Sequence, residues 1–306
     1  MNTAFLFAGQ GSQYVGMGKD LYDKYSLARE YFDQADQLIP NLKKICFEGP
    51  EEELKQTKYT QSSIYVLCVI VNDLIKREKG IKADVVAGFS LGEYSALYAS
   101  GCFDFQTGLD LVRIRGEAMA EAGMKNPGTM AAVLGLEDDI VEEVCRQITD
   151  KGEIVVPVNY NSPGQLVISG TQKGVEEAVR VLEEKGALRA IILKVSGAFH
   201  SPLMKPADKI LGKALEGVEL KEPEIPVIMN VTASLETDPA RIKELMVKQV
   251  VSPVLWKNSM QEMLNKRIKS FYELGPGKVL AGFMKKIERQ VRVINIQSHE
   301  DINQIQ

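Results

Sequence analysis

Histidine is almost absent from this chain. Only His200 and His299 occur in 306 residues. Neither is paired with a cysteine at a metal-ligand spacing, so a metal centre is not expected. Cysteine is scarce too: Cys46, Cys68, Cys102 and Cys145 are widely spaced, with no C-x-x-C pair. That excludes a disulfide framework and favours buried, reduced thiols in a reducing cytoplasm. Long apolar runs are missing. The longest, Ile64 to Val71, falls far short of the ~20 residues a membrane span needs. No basic, then apolar, leader opens the chain, so neither export nor a membrane partner is expected. Charge of one sign is not in excess. The net charge of −4 implies no strongly basic face for nucleic acid. Repeats and low-complexity tracts are also lacking.

What remains is an ordinary globular composition, 45% hydrophobic and 25% charged, long enough for a large core and one or two domains. A strand pattern at Thr3 to Ala8 is followed by helical patterns at Leu27 to Leu38 and Gln61 to Arg77. A strand at Asp84 to Gly88 leads into helices at Leu91 to Ser100 and Asp104 to Ala122, with Asp104 as N-cap. This alternation predicts a mostly parallel sheet covered on both faces. The breaker cluster Met124 to Gly128 then marks a change. Strand, helix, strand, strand, helix and strand follow at Thr129 to Leu134, Glu137 to Thr149, Ile154 to Val158, Leu166 to Ser169, Lys173 to Lys185 and Leu188 to Val195. That order is the split β-α-β-β-α-β unit of ferredoxin-like folds. Residues 125–195 are therefore expected to form a small inserted subdomain. Residues 1–124 and 196–306 would form a discontinuous large α/β domain of α/β-hydrolase-like type. Its second half carries helices at Pro202 to Leu215, Pro239 to Val250, Leu255 to Lys266 and Val279 to Ile287. Strands near Val227 to Asn230, Ser270 to Leu274 and Val291 to Ile296 complete it. The polar tail after Gln297 is expected to fray.

The chemistry concentrates at Gly88-Phe89-Ser90-Leu91-Gly92, a G-x-S-x-G sequence between a strand and a helix. A serine on such a turn projects its hydroxyl from the fold, and free N–H groups at the helix start suit an oxyanion. Ser90 needs a base to act as a nucleophile at neutral pH. His200 follows a strand, precedes a helix and comes after Ser90 in chain order, so it is the candidate base. His299, in the polar tail, is expected to be merely exposed. No Asp or Glu between Ser90 and His200 stands out as a third member, which leaves a dyad oriented by a main-chain carbonyl. Gly9-Gln10-Gly11 begins like a dinucleotide fingerprint, but Tyr14 stands where the third glycine belongs. The loop is instead suited to aim backbone N–H groups at a reacting centre. On the helix from Asp104, Val112, Arg115 and Met119 share an apolar face. A buried arginine needs an anionic partner. The pattern leaves open an internal carboxylate or a ligand.

Together these residues resemble the malonyl-CoA:acyl carrier protein transacylases. The likeness runs in order through Phe5 to Gln13, Gly88 to Tyr94, Arg113-Ile114-Arg115-Gly116, Asn159 to Gln165, Gly197 to Ser201, Gln249 to Trp256 and Glu273 to Gly277. It implies Ser90 as acyl-accepting nucleophile and His200 as its base. It implies an oxyanion hole from the Gln10 and Leu91 N–H groups. It places Arg115 against the malonyl carboxylate, and the main-chain carbonyl of Gln249 on the histidine. Gln61, Met119, Asn159 and Asn161 would border the substrate. Phe199, just before the histidine, would limit substituents on the acyl α-carbon. The family's usual histidine before the serine is replaced here by Phe89, whose ring offers no hydrogen bond with which to order Ser90.

The resemblance implies ping-pong transfer of malonyl from malonyl-CoA to the phosphopantetheine thiol of a holo-acyl carrier protein, with no cofactor. Fatty acid biosynthesis is the expected setting. Loading of a polyketide synthase in trans is the alternative, and a monomer is expected. Lys278, Lys285, Lys286 and Arg289 could form a basic rim for an acidic carrier or simply a solvated face. A serine thioesterase or esterase has no need of a carboxylate-binding arginine, and a silent docking module has no need of both Ser90 and His200.

Overall fold

In the computed structural model, which describes residues 2–305, the chain opens with β1 (Thr3–Phe7) and, after several helices, β2 (Val85–Gly88). It then builds β3 (Thr129–Leu134), β4 (Val155–Ser162), β5 (Gln165–Gly170) and β6 (Arg189–Ile192). It ends with β7 (Val227–Ile228), β8 (Leu235–Glu236), β9 (Ser270–Leu274) and β10 (Val293–Ile296). Two sheets result. One runs β10-β9-β1-β2-β7-β8 and is parallel except for β8, while the other runs β4-β5-β3-β6 and is antiparallel throughout.

The first sheet has helices on both faces, so its central strands read as unbroken apolar runs rather than alternating ones. Ala4 to Phe7 and Val85 to Ala87 have no exposed side chain. Helix Thr57–Leu74 packs beneath with nearly every residue buried. Helix Phe105–Lys125 lies beside it, capped by the Asp104 carboxylate accepting from Thr107 N at 2.8 Å. The carboxyl ends of β1 and β2 open toward one side. In parallel α/β sheets that edge is where ligands bind.

Helices Asp138–Thr149 and Gln172–Glu184 cover one face of the second sheet with Val141, Val144, Ile148, Val175, Ala178 and Leu182. β4 is tied to the loop before helix Trp256–Asn265: Tyr160 N donates to Val254 O at 3.0 Å, and Val254 N to Val158 O at 2.8 Å. Among the described residues no helix is long and apolar enough to cross a membrane. All four cysteines are buried and free.

Two expectations fail at the end of the chain. Residues His299–Gln304 form a helix rather than a frayed tail. Ser298 and Asp301 make a reciprocal capping box, and Ile302 is fully buried. His299 is half-buried, not free in solvent, because its Nδ1 meets the Tyr25 hydroxyl at 2.9 Å and its N–H donates to Asp20 at 2.7 Å.

Candidate active site

Ser90 sits between β2 and helix Gly92–Ala99 with φ of +50°, in the left-handed region. Such a conformation in a non-glycine residue is held by its surroundings. The surroundings here are tight. A Cβ on Gly88 would lie 1.9 Å from the Gly92 carbonyl carbon, and one on Gly92 would lie 2.2 Å from Phe7 O. Only glycine lets the turn fold back against β1. His200 also has a positive φ, +61°, just before the short 3-10 turn Pro202–Met204.

The structure brings the two residues together. Ser90 Oγ lies 2.8 Å from His200 Nε2, and His200 Nδ1 lies 2.8 Å from the main-chain oxygen of Gln249. A carbonyl only accepts, so Nδ1 carries the proton and Nε2 presents its lone pair to the serine hydroxyl. Burial, reinforced by the positive charge of Arg115, lowers the His200 pKa to about 4. The ring is neutral at pH 7 and competent to take a proton from Ser90.

Arg115 is 1% exposed. Its Nη2 donates to Ser90 Oγ at 3.0 Å and to Gln249 Oε1 at 2.9 Å, and its Nη1 donates to Gln61 Oε1 at 2.8 Å. No carboxylate is among those acceptors, and its Nε has no partner. The internal-carboxylate possibility is thereby removed for direct pairing. Desolvation lowers the Arg115 pKa.

A cavity of about 420 Å³ opens onto these groups. Ser90, His200, Arg115, Met119, Asn159 and Phe199 line it, together with Gln10, Gly11 and Phe89. Among the described residues, neither Gln10 N nor Leu91 N donates to a main-chain acceptor. Gln61 lies behind the lining, with Nε2 3.6 Å from Met119 Sδ. Asn161 is buried but does not reach the cavity wall. The pairs Tyr160–Leu166 and Ser162–Gln165 leave it as the extra residue of a bulge, so it leaves the regular alternation that would align it with Asn159. Phe89 packs edge-on to Trp256, with ring centroids 5.5 Å apart, and tilted to Phe283 at 5.9 Å. Lys278, Lys285, Lys286 and Arg289 are exposed and do not line the cavity, whereas Lys55 and Lys194 do.

Two residues escaped the sequence reading. Asn230 accepts from Ser90 N at 2.8 Å and donates to Gly88 O at 2.7 Å, bracing the turn from both sides. Glu93, fully buried, accepts from Asn230 N at 2.6 Å and from Gln249 Nε2 at 2.8 Å. Burial raises its pKa, while those two donors and the Arg115 charge pull it back toward the ionised form. A carboxylate inside an otherwise apolar helix, and an asparagine ending an apolar strand, were the available signals.

The fold is that of acyl transferases, and the acyl transferase domain family matches residues 4–302. The chain is 44% identical over 300 residues to a malonyl CoA-acyl carrier protein transacylase of Bacillus subtilis, covering 98% of this chain and 94% of that one. It superposes with a TM-score of 0.96 and 38% identity on an acyl carrier protein S-malonyltransferase from Vibrio cholerae, each chain covered in full. A malonyl-transacylase solved with the holo form of a type II PKS acyl-carrier protein matches with a TM-score of 0.95 and 35% identity, over 99% of this chain and 98% of that one. The chain belongs to the malonyl CoA-acyl carrier protein transacylase family.

Proposed function

We propose that the protein moves a malonyl group from malonyl-CoA to the phosphopantetheine thiol of an acyl carrier protein through a malonyl-Ser90 intermediate. The observation that carries this reading is the buried Arg115 guanidinium, 3.0 Å from Ser90 Oγ and without a carboxylate partner. A planar fork at that distance suits a free carboxylate on the acyl group being transferred.

In the first half-reaction His200 Nε2 takes the Ser90 proton as Oγ bonds to the thioester carbon. The N–H groups of Gln10 and Leu91 receive the oxyanion. The C–S bond then breaks, and CoA leaves as the thiol with the proton from His200. The carrier thiol reverses these steps, returning the proton to Ser90. Gln249 O keeps the imidazole in the required tautomer throughout. Met119, Asn159 and Phe199 border the acyl group, with Gln61 supporting Arg115. Phe199 limits bulk at the α-carbon. Exchange between two thiols needs no cofactor beyond the substrates. The serine and histidine act as a dyad.

The division at residues 125–195 belongs to the same reading. The order β-α-β-β-α-β with sheet order β4-β5-β3-β6 supports a ferredoxin-like inserted subdomain on an α/β-hydrolase-like domain. Asn159 and Arg115 then face one cleft from the two parts. Fatty acid synthesis is the proposed setting. The relative bound to a type II PKS carrier supports polyketide loading as the second reading.

The test is mass spectrometry of the protein after malonyl-CoA, followed by a chase with holo-carrier proteins of both kinds. Malonyl on Ser90 that leaves faster to a carrier than to water is the expected outcome, and the faster acceptor decides the setting. Faster loss to water would make the protein a thioesterase, and no adduct would make it a docking module.

A further inference from the structure

Among the described residues Glu93 is the one buried carboxylate touching this site, and the mechanism above does not use it. Its two oxygens are both occupied by donors: Asn230 N at 2.6 Å and Gln249 Nε2 at 2.8 Å. Gln249 Nε2 also donates to Ser90 O at 2.9 Å, while its Oε1 accepts from Arg115 Nη2 at 2.9 Å. The side-chain amide of Gln249 therefore has a single workable orientation. Turned over, it would set its NH₂ against the guanidinium, and its oxygen against the Glu93 carboxylate and Ser90 O.

We propose that Glu93 is a positioning residue for acyl-group selection, fixing the Gln249 amide so that its oxygen holds the Arg115 guanidinium beside Ser90. The inference rests on the reading of Arg115 as the carboxylate-binding group. Glu93 does not touch the substrate, since it lies outside the cavity lining. It acts through Gln249, which bridges it to both Ser90 and Arg115.

Glu93→Gln is nearly isosteric but offers one oxygen and one NH₂. Asn230 N demands the oxygen. The NH₂ then faces Gln249 Nε2, donor against donor, and the conflict passes to Arg115. The experiment measures the rate of Ser90 acylation by malonyl-CoA and by acetyl-CoA in the full-length protein. The wild-type preference for malonyl is expected to fall at least tenfold in Glu93→Gln. It is expected to fall no further when Glu93→Gln is added to Gln249→Leu, because the two act in series.

A residue that only stabilises the fold would slow both acyl groups alike. An unchanged malonyl-to-acetyl ratio in Glu93→Gln overturns the proposal, as do independent, multiplying losses in the double variant. If Glu93→Gln does not fold, Gln249→Leu alone decides: a wild-type ratio there overturns the relay. A wild-type protein showing no preference for malonyl sinks the carboxylate reading of Arg115 itself, a separate failure visible before any variant is made.

Discussion

The buried state of His200 makes acid the most direct probe of this site. Its folded-state pKa is lowered to about 4 from 6.5 by burial first and by the Arg115 charge second. Between those two values the unfolded chain binds a proton at this residue that the folded chain refuses. The stability linked to His200 is therefore complete above pH 6.5 and is lost as pH falls through about 4. At about 1.4 kcal/mol per pH unit, the loss over that interval is about 3 kcal/mol. The assay is urea unfolding of wild type and His200→Ala from pH 7.5 to pH 4. Wild type is expected to lose about 3 kcal/mol more unfolding free energy than His200→Ala on acidification. Glu93 titrates in both proteins, so its own contribution largely cancels. Activity gives a second readout. The kcat/KM for malonyl-CoA reports the free enzyme, and its acid limb is expected near pH 4 rather than 6.5. An acid limb at pH 6 or above, with a flat difference curve, would refute the claim that burial holds this imidazole neutral.

Other perturbations separate the parts. Arg115→Ala is expected to slow malonyl transfer on the order of a hundredfold more than acetyl transfer, from the loss of a bidentate charged contact; equal losses in Ser90 acylation rates would remove that role. Gly92→Ala, whose Cβ would stand 2.2 Å from Phe7 O, is expected to lower unfolding free energy by roughly 3 kcal/mol or more, and a midpoint in urea matching wild type would contradict the close approach. Phe89→Gln puts a polar side chain into the apolar wall shared with Trp256 and Phe283. It is expected to raise hydrolysis of the acyl-serine relative to transfer, and an unchanged ratio of free malonate to acylated carrier would discount water exclusion by that wall.

What the sequence could reveal depended on how local each feature is. Ser90 is announced by its own glycines, and Arg115 by its place on a single helix face. His200 is found because the chain offers so few alternatives. The bracing network is different in kind. Gln249 reaches Ser90 across 159 positions, and Asn230 reaches it across 140. Nothing in the neighbourhood of Asn230 or Gln249 says that their amides meet. The main-chain carbonyl of Gln249 was expected on the histidine, but its side chain bridging Arg115 and Glu93 was not. Asn161 shows the opposite failure. The resemblance implies that it borders the substrate beside Asn159, and a bulge that no local pattern announces takes it off the cavity wall. The terminal helix was missed because Ser298 and Asp301 were read as polar tail rather than as a reciprocal cap anchored by Ile302.

If Arg115 binds the acyl carboxylate as proposed, the charges at the centre of the site give the physical reason for that preference. Arg115 is buried with amide and hydroxyl acceptors but no direct anionic contact. Such a cation is costly to desolvate. The nearest acid, Glu93, spends its oxygens on Asn230 N and Gln249 Nε2 and does not touch the guanidinium, so it compensates that charge only at a distance. On the reading proposed above, a ligand carboxylate on the guanidinium would supply the missing counter-charge. It also offsets the field that lowers the basicity of His200, since Arg115 is the second cause of that shift. Binding of the carboxylated group and strengthening of the base then follow from one contact. An acyl group without a carboxylate gains neither, so discrimination arises in the chemical step as well as in binding.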